Sequence, residues 1–164
     1  MFEVLVFVYE HYWRGDACPE PQQLGRKLSA HGFEPDEIQD ALVWLDGLNL
    51  AAQSIRLGRT DLPAPPSETA ALQSPSSLRV YSVAEQDHLG AQCLGFISFL
   101  ESSGVLPAAM REIVIDRAMA ARGDRVSLDD LKIIVLMVYW SFGEEPDALV
   151  LDELCDPAEG RLPH

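Results

Sequence analysis

The chain has 164 residues, 48% of them hydrophobic and 23% charged, so it can bury a core and is not a disordered chain. Its net charge of −14 works against nucleic acid and anionic membranes as general partners, although a local basic patch can still hold phosphate, and an acidic surface first of all serves solubility. Three dispersed cysteines, Cys18, Cys93 and Cys155, form no CxxC pair and point to reduced thiols in a cytoplasmic protein rather than a disulfide framework or a structural zinc site.

The start, MFEVLVFVYEHYW, lacks the basic residues and small-residue cleavage site of a signal peptide. Residues 2 to 14 set Phe2, Leu5, Val6, Tyr9, Tyr12 and Trp13 at helical spacing, with Glu3 and Glu10 opposite. That predicts an amphipathic helix whose aromatic stripe faces a core. A weaker helix follows over 20–31, with Leu24 and Leu28 inward and Gly32 closing it in the left-handed conformation. Pro35 opens the next helix, and Asp36 and Glu37 suit its positive dipole end. Ile38, Ala41, Leu42, Leu45 and Leu48 make its apolar face, with Trp44 beside it. The succession has the rhythm of a helix-turn-helix.

The stretch near Ser54 to Leu57 and the alternating LRVYS, Leu78 to Ser82, are expected to pair as a short β-hairpin, which makes the first three helices winged-helix-like. Between them, TDLPAPPSETAALQSPSS is rich in Pro, Ser and Ala, has no apolar period and reads as a flexible loop at the wing tip. Ser82 with Glu85 forms a capping box opening a helix that carries Leu89, Cys93, Phe96 and Leu100 on one face and stops at Gly104. A helix over 107–122 follows, then one capped by Ser127, with Asp130 three residues on, that runs to about Trp140. From Leu131 to Phe142 it is apolar nearly all round, which suits the centre of a bundle or an interface with a partner or a second copy. Its longest apolar run, Ile133 to Trp140, falls short of the about 20 residues that a bilayer takes, and no membrane association is expected. A last short helix holds Leu149 to Leu154.

Residues with catalytic or ligating chemistry do not converge in sequence. His11, His31, His88 and His164 are scattered, with no HExxH pattern, and neither a GxSxG elbow nor a phosphate-cradling Gly-rich loop is present. Glu112 and Asp116, one turn apart, could hold a cation or exchange protons, but such pairs are mostly solvated faces or salt bridges. No cofactor or metal is expected. Arg117 extends the apolar stripe of Met110, Ile113 and Val114, where a cation is costly unless paired. It is read as a buried ion pair, with Glu101, Asp129 or Asp130 as partner, or as an anion site. The second helix of the helix-turn-helix carries Asp36, Glu37, Asp40 and Asp46 and no Lys or Arg, and residues 1 to 50 hold three basic against nine acidic residues. Base edges and phosphates ask for the opposite.

The segments MFEVLVFVYE, HGFEPDEIQDALVWLDGL, LRVYSVAEQDHL, GFISFLESSGVL, REIVIDRAMA and LDDLKIIVLMV, in this order and spacing, resemble the bacterial Smg family. The resemblance spans most of the chain and is least in the Pro-rich loop from Thr60 to Ser77. It implies no established activity, cofactor or catalytic residue. It does imply a genomic association with DNA-processing functions.

The expectation is therefore a mostly α protein. Residues 1–59 form a winged-helix-like unit, 60–77 a flexible loop, 78–158 a strand completing the wing plus a C-terminal helical bundle, and 159–164 a frayed tail. The function expected is a non-enzymatic adaptor or regulator that meets another protein through Asp36, Glu37, Asp40 and Trp44. The alternative is a nucleic-acid-binding regulator using Arg26, Lys27, Arg56 and Arg59.

Overall fold

A computed structural model describes residues 1–12, 20–58 and 79–146. Among these residues the chain forms six helices: α1 (Phe2–His11), α2 (Pro21–Ala30), α3 (Pro35–Gly58), α4 (Val83–Ser102), α5 (Ala108–Met119) and α6 (Leu128–Phe142). Local chemistry sets most of their ends. Gly32, at φ +91°, lets the Gly32 N–H reach the Ser29 carbonyl and the Phe33 N–H the Leu28 carbonyl, the paired bonds of a Schellman close. Pro35 then fits the first turn of α3, where its missing N–H costs nothing. The Ser82 hydroxyl accepts from the Glu85 N–H while the Glu85 carboxylate accepts from the Ser82 N–H, and the Ser127 hydroxyl accepts from the Asp130 N–H.

All six helices feed one hydrophobic cluster, so the segments on either side of residues 59–78 share a core. At its centre is α6, packed by α1, α3, α4 and α5. Leu131, Ile134, Val135, Met137 and Val138 are fully buried on successive sides of it. Its all-round apolar character thus answers to the middle of a bundle, and the partner or second copy weighed for it is not needed to cover it.

Several sequence expectations are corrected. Neither the β-hairpin nor the wing is present among the described residues. Ser54 to Leu57 lie inside α3, which continues ten residues past Leu48 because Ala52 and Ile55 prolong its inward stripe. Arg79 to Ser82 run without a strand partner into α4. The expected loop at 60–77 and the helix at 149–154 lie outside the described residues. In α1 the buried face is Val4, Leu5 and Val8, while Phe2, Phe7, Tyr9 and Tyr12 border the core half-exposed. The sequence stripe followed the aromatic rings, whereas compact aliphatic side chains fill the space against α6.

An irregularity in α4 had no sequence expectation. Gly90 adopts φ 70°, ψ 169°, a region in effect open only to glycine. The helical ladder breaks there, and the freed His88 carbonyl accepts the Val126 N–H at 3.0 Å. Cys93 adds a bond from its thiol to the Val126 carbonyl at 3.4 Å, and burial raises that thiol's pKa. The segment entering α6 is docked onto the kink.

Candidate functional site

Helix α3 packs against α1, α2, α5 and α6, and its contacts with α5 and α2 differ. On the α5 side the contact is closed. Trp44 is 3% exposed, and its indole N–H donates to the Arg117 carbonyl at 2.9 Å. The Arg117 Nη1 points back toward the Trp44 carbonyl at 3.4 Å. Its guanidinium fills the notch left by Gly47, where an added Cβ would overlap it. Asp116 accepts from the Arg117 Nε and Nη2 at 3.0 and 2.7 Å. Arg117 is therefore an ion pair, but its partner is its sequence neighbour. Glu101 is taken by Arg111, and Asp130 by the Ser127 cap. A cleft of about 360 Å³ beside this contact is bordered by Met1, Asp40, Trp44, Arg117 and Arg122. Within it Asp40 pairs with Arg122 at 2.9 Å, and at its border Glu37 lies 3.6 Å from the Met1 amine. Of the acidic cluster Asp36, Glu37 and Asp40, two members thus have cationic neighbours, and Trp44 is a core residue behind them.

On the α2 side the contact is open. A groove of about 560 Å³ runs between α2 and α3, with Gly25, Ile38 and Leu42 forming its floor. Val43, Gln39 and Asp46 form its α3 edge. Asp36, Gln39, Val43, Asp46 and Leu50 recur every three to four residues and make the outward ridge of α3. Val43 and Leu50 are 62% and 61% exposed on it.

The cations proposed for nucleic acid are placed elsewhere. Arg26 and Lys27 are exposed on α2, and the Lys27 ammonium lies 5.3 Å from the centre of the Tyr12 ring. Arg56, near the end of α3, donates to the Ser141 carbonyl at 2.8 Å and sits over the Phe142 ring. The Trp140 indole N–H faces the Tyr12 carbonyl at 3.4 Å, so Lys27 and Arg56 share the end of the bundle where α1 and α6 terminate. Arg59 lies outside the described residues.

Two carboxylates weighed for acid–base work are both held by arginine. Glu112 accepts from Arg79 and Arg111, and Asp116 from Arg117. The first belongs to a chain of charges, Glu85–Arg79–Glu112–Arg111–Glu101, that fastens the start of α4 to α5. Within it, hydrogen bonds from Arg79 and from the Ser82 N–H hold the Glu85 carboxyl down at about 2. The fold also joins what the sequence scattered: the His11 ring stacks on Phe7 at 3.9 Å and the His31 ring lies tilted against it at 4.6 Å, with 6.2 Å between the two imidazoles. His31 caps the C-terminal end of α2 and His11 ends α1, so it is the packing of these two helix ends that brings the rings together. No group of three or more metal-ligating side chains occurs among the described residues.

A family model described as "Protein of unknown function (DUF494)" matches residues 1–164. Curated relatives named "Protein Smg homolog" match over the full length of both chains: 62% identical in Leptothrix cholodnii, 58% in Methylibium petroleiphilum and 46% in Bordetella avium. The chain belongs to the Smg family. No solved structure matches it. For this Smg-family protein, among the described residues, no helix is long and apolar enough to cross a membrane.

Proposed function

We propose that this Smg-family protein is a non-enzymatic adaptor or regulator that acts in the cytoplasm by binding another protein through the outward ridge of α3. The observation that carries the reading is the exposure of Val43 and Leu50 on a ridge they share with Asp36, Gln39 and Asp46. Aliphatic side chains rimmed by polar ones on the outward face of a helix suit an interaction surface, and here Val43 also borders the groove beside α2. Trp44 supports that ridge from behind rather than touching the partner. A photo-cross-linking residue at Val43, activated in the native cell, should yield one dominant adduct. Asp36→Lys with Asp46→Lys should cut its yield at least ten-fold, while the lost charge in the first turn of α3 lowers the melting temperature by only about a few degrees. An adduct yield indifferent to both changes removes this ridge as the binding surface.

A second reading rests on the bundle end where Lys27 and Arg56 lie over Tyr12 and Phe142. Cations beside aromatic rings suit single-stranded nucleic acid, whose bases stack and whose phosphates need positive charge. Arg26 and Arg59 belong to the same reading. Fluorescence anisotropy with labelled single-stranded DNA or RNA should then show micromolar binding that weakens steeply with salt. No binding even at low salt eliminates it.

A further inference from the structure

The geometry points to a specific occupant for the α2–α3 groove: one amphipathic α-helix of a partner protein, with aliphatic side chains on the face that enters and Lys or Arg along the α3 edge. This rests on the reading of α3 as a protein-binding surface and names the chemistry of the partner.

Three observations lead to it. First, Gly25 stands inside α2, where glycine is less favourable than alanine by about 0.5–1 kcal/mol. Internal packing does not demand it: a Cβ there would meet Leu42 and Ile38 at 3.6 and 3.9 Å, ordinary contact distances. What the missing side chain does is leave the groove floor open against Ile38 and Leu42. Second, the walls are helices whose backbone groups are already bonded within the helices. Among the described residues there is no strand edge to receive an extended peptide. Strand addition therefore has nothing to pair with here, whereas a helix brings its own backbone bonds and offers the walls only side chains, as in helix-in-groove recognition. Third, the α3 edge is acidic, with Asp46 in the groove and Asp36 beside it on the ridge. That charge, within a molecule of net charge −14, favours a basic helix and disfavours a second copy of this chain.

The test uses the full chain and a fluorescein-labelled 14-residue peptide with Leu on one helical face and Lys on the other, beside a scrambled peptide of equal composition. Anisotropy should show micromolar or tighter binding of the ordered peptide, at least ten-fold stronger than of the scrambled one. Gly25→Leu, which plugs the floor without altering charge, should weaken it ten-fold or more. Ser29→Trp, from an exposed position on the same wall, serves if Gly25→Leu misfolds, and circular dichroism checks the helix content of both. Equal binding of ordered and scrambled peptides, or binding lost on Asp46→Lys but untouched by both plugging variants, overturns the groove and leaves the ridge reading standing. No binding of either peptide also overturns it, and the cross-link at Val43 then judges the ridge alone. A concentration-dependent dimer that Gly25→Leu dissolves in sedimentation velocity assigns the groove to a second copy and overturns the partner helix.

Discussion

Gly25, at the α2–α3 contact, and Gly47, at the α3–α5 contact, are both helix-interior glycines facing a neighbouring helix, and they do opposite things. At Gly47 the missing side chain is filled from within the molecule by the Arg117 guanidinium, which Asp116 orients. At Gly25 nothing from the described chain fills it, and a groove remains. The same helix-breaking preference is offset by internal packing in one place and by nothing visible in the other. The difference teaches that α3 has a finished side and an unfinished one. Acidity alone would not have separated them, since Asp40 lies toward the finished side and Asp46 on the unfinished one.

The largest expected effect sharpens that contrast. Trp44→Ala empties a buried site and abandons the bond to the Arg117 carbonyl, and should cost about 3–5 kcal/mol in urea unfolding. One position away, Val43→Ala removes an exposed side chain and should stay within about 0.5 kcal/mol. Comparable losses at both would mean that Val43 is covered in solution and that the ridge is not free.

A smaller effect tests whether the contrast belongs to α3 or to ion pairs in general. Glu85→Ala removes the return arm of the capping box and two hydrogen bonds to Arg79, for about 1–2 kcal/mol at pH 7. The folded carboxyl titrates at about 2, below the about 4.3 of an unfolded glutamate, so its contribution is complete above about pH 5 and fades as pH falls toward 2. Urea unfolding at pH 7, 5 and 3 should show wild type and Glu85→Ala converging at the acid end. The Trp44→Ala deficit should not follow them, because no carboxylate carries it. A Glu85→Ala gap that is constant across pH removes the ion pair as its source.

What the sequence disclosed follows from distance along the chain. The caps at Ser82 and Ser127, the Gly32 turn and the acidic first turn of α3 are decided within five residues, and each is where the spacing put it. The hairpin failed for a related reason. Five alternating residues, LRVYS, are too few to define a strand, while Leu48, Ala52 and Ile55 kept the helical period that argued against its partner. The Gly90 kink was invisible because it depends on Val126, 38 positions away in bond-forming terms from His88. The site suffered most. Asp36 and Asp46 stood out as acidic residues, but that Trp44 lies behind them, that Arg117 occupies Gly47 and that Gly25 opens a groove are all settled by how α2, α3 and α5 pack.

The smallest effect addresses the comparison directly. Gly25→Ala should raise stability by about 0.5–1 kcal/mol, since the new Cβ meets only ordinary contacts and the helix gains its usual preference. Gly47→Ala gains the same preference but must displace the guanidinium, so its net change should be a loss or near zero. In an Arg117→Ala background the obstruction is gone, and Gly47→Ala should then recover the full gain, a coupling that a double-mutant cycle reads directly. Asp116, 62% exposed, can lose its partner there at little cost. Equal gains at Gly25 and Gly47 in the wild-type background would mean that Arg117 does not hold the notch in solution, and the finished side of α3 would then be as open as the other.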